Sequence, residues 1–215
     1  MFEDKIIMIQ IQNKDCYFLP NLNKNGLSLY SVENLFENDF EIMVKFRVDW
    51  DSYTQDNPVG GVVSKNGRHM GIFTKRDWDG EKRINRIITK IWTENNGQEH
   101  LEELTFNVED NLYECLLTHD FDSKTFTFKC NNEIKVYKYE GTICDYKNSW
   151  LWYGCSMGIG DEWNEYFYGT LYKSYISIKG GFKVFKSNFS KYTTYKVFDE
   201  SYNGNHLIKY NEEYI

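Results

Sequence analysis

Two tryptophans in this 215-residue chain stand among side chains that form hydrogen bonds. Trp78 lies between Asp77 and Asp79. Trp163 follows Gly158-Ile159-Gly160 and is flanked by Asp161, Glu162, Asn164 and Glu165. An indole face covers an apolar ring, while neighbouring carboxylates and amides orient hydroxyls. A sugar, with C–H faces and hydroxyl edges, asks for that combination. Trp78, Asp161, Trp163 and Asn164 are therefore the candidate ligand-binding residues. The alternative for each tryptophan is packing in or beside the core. Gly158-Ile159-Gly160 lacks the further glycine and the strand–helix setting of a nucleotide loop.

Other chemistry finds less support. His69, His100, His119 and His206 form neither His-x-His nor His-Glu-x-x-His, so no zinc site is legible. Cys16, Cys115, Cys130, Cys144 and Cys155 are an odd, widely spaced set without a CxxC pair. They are expected to be reduced and structural, with Cys115 packing in the core. No cofactor motif occurs. Calcium is the one ion the loops could take, with Asp49, Asp51 and Asp56, or Asp77 and Asp79, as hard oxygen ligands. Glu99, Glu102 and Glu103 lie near one predicted turn, Glu109 and Asp110 near another. Their spacing predicts solvated surface, and no catalytic residue is assigned.

The elements that must position these residues read as strands. Phe40, Ile42, Val44, Phe46 and Val48 alternate with Glu41, Lys45, Arg47 and Asp49, a period of two that predicts a half-buried strand. Gly60–Ser64, then Lys65-Asn66-Gly67, then Met70–Phe73 predicts a hairpin turning at Asn-Gly. Ile84–Trp92 predicts a strand broken at Asn95-Asn96-Gly97. Further strands are predicted at Tyr113–Thr118, Thr125–Cys130, Ile134–Tyr139, Leu151–Tyr153, Leu171–Ile178, Phe182–Phe185 and Tyr192–Phe198. Asn131-Asn132 should form a tight turn. The one helical signal is a turn at Ser31–Phe36 with Ser31 as cap. His206 is expected to support the terminal Asn-Gly-Asn turn by local hydrogen bonding.

Aromatic residues make up 18% of the chain, which favours strands and excludes disorder. Residues 1–215 are expected to form one domain, with 182–215 as its terminal strands or as an arm to a neighbouring chain. The net charge of -7 would repel a phosphate backbone, so nucleic acid is not the expected partner. Lys75, Arg76, Lys82, Arg83 and Arg86 form a local basic exception. No apolar run is long enough to span a bilayer, and Glu3, Asp4, Gln10 and Gln12 break any signal-peptide pattern. The expected setting is cytoplasmic, or within a surface or phage assembly.

Phe40–Arg47 resembles the first well-marked inner strand of the concanavalin A-like lectin/glucanase superfamily, especially its laminin-G-like branch. Asn111–Thr118 with Asp120–Phe128 resembles the strand, polar turn and strand that cross the middle of such domains. Leu151–Gly154 and Phe167–Leu171 resemble its late strand pair. Val197–Leu207, containing Asp199, Ser201, Asn203, Gly204, Asn205 and His206, is similar to the Asp-x-Ser-Gly-Asn-Gly-Asn-His opening of many bacterial laminin-G-like domains. Tyr202 stands where that motif has glycine, and the fragment lies at the opposite end of the chain from its usual place.

The resemblance implies an all-β, jelly-roll-type antiparallel β-sandwich. It also implies a glycan or a neighbouring protein subunit as partner. The leading expectation is a non-catalytic carbohydrate-binding or adhesion module of a larger protein or assembly. The alternative is a structural protein-interaction domain, and a glycan-active hydrolase or lyase comes third. The Glu-x-Asp-x-x-Glu segment of the superfamily's laminarinase-like branch does not occur in this sequence.

Overall fold

The computed structural model describes residues 9–11, 17–19, 35, 38–50, 57–109, 112–146, 151–156, 165–178, 182–189, 192–193, 196–197, 199–201 and 206–209. Nineteen strands run through them in chain order. They are β1 Ile9–Ile11, β2 Tyr17–Leu19, β3 Phe40–Val48, β4 Asn57–Lys65, β5 Arg68–Asp79, β6 Lys82–Asn95 and β7 Gln98–Val108. Next come β8 Leu112–Asp120, β9 Thr125–Cys130, β10 Glu133–Lys138, β11 Thr142–Ile143, β12 Leu151–Tyr153 and β13 Cys155–Ser156. The last are β14 Glu165–Tyr166, β15 Gly169–Ile178, β16 Phe182–Ser187, β17 Tyr192–Thr193, β18 Lys196–Val197 and β19 Leu207–Lys209.

Two antiparallel sheets face each other. The first has the order β1-β15-β3-β8-β9-β10, with β16 also on β15. The second runs β11-β6-β5-β4-β12-β2-β19-β18-β17, with β7 also on β6. Strands β13 and β14 form a separate short pair. The chain is thus the expected all-β jelly-roll sandwich.

Period-two alternation builds the core. In β3, Phe40, Ile42, Val44, Phe46 and Val48 are all buried while Glu41, Lys45 and Arg47 are not. Tyr113, Cys115 and Leu117 of β8 and Phe126 and Phe128 of β9 extend that stripe across the first sheet. Val59, Val63, Met70, Ile72, Ile87, Ile91, Leu104 and Phe106 meet it from the second. Tyr153 of β12 links the layers: its hydroxyl lies 2.8 Å from Ser174 Oγ, which donates to the Met43 carbonyl at 2.7 Å.

Asn66 and Gly67 close the β4–β5 hairpin with φ of 53° and 75°, the left-handed pair that matches strand twist; Asn96 and Gly97 repeat it between β6 and β7. Within β4 the register shifts between Gly60 and Val63, and the Cβ-less Gly61 lies against Ile42 of the facing sheet. Small residues at the bulge let the sheets approach where β3 is bulky.

Several details differ from the sequence reading. β1 and β2 were not expected. Gln98–Val108 is an eleven-residue strand rather than turn surroundings, because Leu104 and Phe106 have a core to bury against while Glu103 and Asn107 face outward. Residues 192–198 do not make one strand, since Tyr192 pairs with Val197 and Thr193 with Lys196 across a hairpin. Leu35 begins a tight helical turn, and the rest of Ser31–Phe36 lies outside the described residues. At the C-terminal end β16 pairs with β15 and β19 with β2.

Candidate functional site

Trp78 and its neighbours Asp77 and Asp79 lie on strand β5 rather than in a loop. Trp78 precedes the Gly80-Glu81 turn by two positions and pairs directly with Arg83. Continuing the β5–β6 register back toward the core gives Arg76 opposite Asn85, then Thr74 opposite the buried Ile87. Residues directly opposite each other in an antiparallel pair share a face. Trp78, Arg83, Arg76 and Asn85 therefore continue the core-ward face of the hairpin beyond the core itself.

Among the described residues, β4 pairs with β5 as far as Thr74 and β7 pairs with β6 as far as Asn85. There the rung Trp78–Arg83 is held by β5 and β6. Trp78 keeps 60% of its surface exposed. Arg83 stands over the indole with its Cζ 5.1 Å from the ring centroid. One rung inward, Arg76 lies 6.0 Å from the ring of the buried Trp50 and donates from Nε to Asn85 Oδ1 at 3.4 Å. Each arginine thus has an indole beside it.

The reverse face of the tip is different. Arg86 donates to Asp77 Oδ2 at 2.6 Å, so its charges cancel locally. Further along the same face Val62, Phe73, Ile88 and Trp152 are buried although their register points them away from the core, and Lys90 Nζ stands 5.0 Å over the Phe73 ring. A ligand has no open aromatic there. Among the described residues the large apolar side chains left exposed are Trp78, Leu101, Leu112, Phe121, Ile134 and Val136. Only two of these are aromatic, and Phe121 packs edge-on against His119. Trp78 is the exposed indole, with Arg83 over one side of it.

Of the other sequence candidates, Asp161, Trp163 and Asn164 lie outside the described residues, as do Asp51, Asp56 and Asp110. Of the four candidate ligand-binding residues, Trp78 alone lies among the described residues. Arg76, Arg83 and Asn85 were not among the candidates, because their shared face with Trp78 follows from strand register. Trp50 and Trp152 are buried. Asp77 is engaged by Arg86. Among the described residues no three His, Cys, Asp or Glu side chains gather as a metal-binding group.

The acidic run on β7 does not converge. Glu102 pairs with Ile91 and Glu103 with Lys90, so successive carboxylates point to opposite faces, and Glu99 is held by Arg68 at 2.6 Å. Cys115, Cys130 and Cys144 are free and buried, and burial pushes the Cys115 and Cys144 thiols up. His206 Nδ1 accepts from the Asp199 backbone N–H at 2.9 Å, and Asp199 accepts from Ser201 N and Oγ, while Asn203, Gly204 and Asn205 lie outside the described residues. No helix among the described residues is long and apolar enough to cross a membrane.

No protein-family model matches the sequence, and no curated protein matches it. Solved structures do. The CBM40 module of the Ruminococcus gnavus IT-sialidase, bound to α2,3 sialyllactose, is similar with a TM-score of 0.53 at 13% identity, over 81% of this chain and 91% of that one. A Bacteroides ovatus protein assigned to carbohydrate binding is similar with a TM-score of 0.54 at 11% identity, over 95% of this chain and 58% of that one. Domains LG4-5 of the mouse laminin alpha1 chain give a TM-score of 0.45 at 11% identity, over 79% of this chain and 42% of that one. The first two likenesses, with the two facing antiparallel sheets, bear on the fold alone: the chain is an antiparallel β-sandwich of jelly-roll type.

Proposed function

We propose that this chain is a non-catalytic carbohydrate-binding module in which Trp78 is the stacking platform. The observation that carries the reading is the exposure of that indole at the tip of the β5–β6 hairpin, with polar donors on the same face. Burying so large an apolar surface under a sugar ring supplies affinity, and the adjacent Asn85 and arginine N–H groups supply orientation. The carbohydrate-binding modules among the structural neighbours support a saccharide as the ligand class. Asp161, Trp163 and Asn164 are proposed as a second contact to the same ligand, and adhesion within a larger protein or assembly as the setting.

The test is calorimetry against glycans selected from an array, with melting followed in parallel. Trp78→Ala should leave the melting temperature within a few degrees and weaken binding about tenfold or more. Trp163→Ala should do the same if its loop meets the ligand. Unchanged affinity in Trp78→Ala rules out the platform.

A second reading, packing against a neighbouring protein subunit, is favoured by β10. It ends the first sheet and leaves Ile134 60% and Val136 61% exposed. Self-association in sedimentation, abolished by Val136→Lys, with no glycan bound by the wild type, would select it.

A further inference from the structure

The two faces of the β5–β6 tip carry charge differently. Outward, Arg86 has Asp77. Core-ward, Arg76 and Arg83 stand with Trp78 and Asn85, and among the described residues no carboxylate pairs with either guanidinium. Asp79 and Glu81, at the turn, are exposed and make no ion pair with Arg83. In a chain of net charge -7, two cations without a counter-ion on one four-residue face depart from the average field. Sequence composition alone would pair them.

We propose that this face takes a saccharide bearing a carboxylate: an acidic sugar whose ring covers Trp78 and whose carboxylate meets Arg83 and Arg76. This deepens the glycan-binding reading and rests on it. The dimensions agree, because residues two apart on a strand are separated by about 6.6 Å, close to the span from a pyranose ring's centre to a substituent and its partner. A guanidinium stacked on an indole uses its face, which leaves its in-plane N–H donors for the fork geometry a carboxylate matches. Arg76 is the more firmly held of the two, between Trp50 and Asn85. Arg83, at the outer rung, stands over one side of the indole, so the ring would take the side it leaves open. A phosphate polymer fits less well, since the remaining surface would repel its next charges.

The experiment compares saccharides that differ only in the acid group. The probes are α2,3-sialyllactose against lactose, and an oligogalacturonate against its carboxyl-reduced form. Each is titrated calorimetrically into the wild-type chain, Arg83→Gln, Arg76→Gln, Trp78→Ala and a charge control, Lys129→Gln, from the far side of the first sheet. At least one acidic probe should bind about tenfold or more tightly than its neutral counterpart, and each arginine variant should lose about tenfold of that affinity. Binding should weaken between about 0.05 M and about 0.5 M salt. Lys129→Gln should behave as wild type.

Equal binding of acidic and neutral probes, lost in Trp78→Ala, overturns the acidic-sugar inference and leaves the glycan reading standing. Acid-selective binding untouched by Arg76→Gln and Arg83→Gln overturns the assignment to this face. Binding of none of the probes, by a chain that binds neutral glycans on an array, likewise overturns the inference alone. Failure to bind any glycan, on the array or in titration, overturns both.

Discussion

His119 has a hydrogen bond at each ring nitrogen: Nδ1 lies 3.0 Å from the Asn38 carbonyl and Nε2 lies 2.9 Å from the Tyr139 hydroxyl. A carbonyl only accepts, so Nδ1 carries the proton and Nε2 accepts from Tyr139. Burial pushes the Tyr139 phenol up to about 12, which keeps that donor protonated. Phe126 stacks on the imidazole at 4.6 Å, and the site is closed to water. Burial accordingly lowers the His119 pKa from its ordinary 6.5, with Asn38, Asp39 and Asp120 opposing in part. The folded state then binds fewer protons than the unfolded one, so this contribution to stability is whole above pH 6.5 and is lost as pH falls toward the folded pKa. Asp120, held down by hydrogen bonds from Ser123, acts in the same direction but below its ordinary 3.8. The melting temperature should therefore fall between pH 7 and pH 5, and His119→Gln should flatten that slope while lowering the plateau. A slope unchanged by the substitution would assign the acid sensitivity elsewhere. None of this was legible in sequence, since Asn38 and Tyr139 reach His119 only through the pairing of β3 with β8 and of β8, β9 and β10.

At the scale of elements, hairpins were the readable units. Asn66-Gly67 and Asn96-Gly97 announce their turns because the left-handed pair of dihedrals leaves few residues to choose from. β7 hid because Glu99, Glu102 and Glu103 mask the alternation of Leu104, Phe106 and Val108 that follows them. Two glycines separate turn chemistry from packing. At Gly67 a Cβ would meet nothing within 4 Å, so Gly67→Ala should cost about 1 kcal/mol, from backbone strain alone. At Gly61, with φ of 63°, the same Cβ would run into Ile42 of the opposite sheet. Gly61→Ala should cost about 2–4 kcal/mol, strain plus overpacking. Urea unfolding of both variants measures the difference. Equal costs would mean that the sheets are not pressed together at the β4 bulge.

Among the described residues the aromatic side chains of the core are buried while Trp78 is exposed, and that contrast explains how far the candidate site could be foreseen. Trp78 was legible because charged neighbours on both sides make burial costly. Its partners were not, because Arg83 and Asn85 come onto its face only through the β5–β6 register. Fold and binding face should therefore fail independently. Val44 is fully buried between the sheets, beside Gly60, in the cluster that joins both layers. An aspartate there places a carboxylate without a partner where no water reaches, at a cost of about 2–5 kcal/mol. Since one core serves both sheets, Val44→Asp should lower the midpoint of a single cooperative transition and, while the chain stays folded, leave saccharide affinity near the wild-type value. Trp78→Ala should do the reverse, with a wild-type melt and lost affinity, because the indole is 60% exposed and does not belong to the core cluster. Parallel melting and titration of the two variants reads both axes at once. A melt that collapses in Trp78→Ala would make the hairpin tip part of the folded core rather than a binding face built upon it.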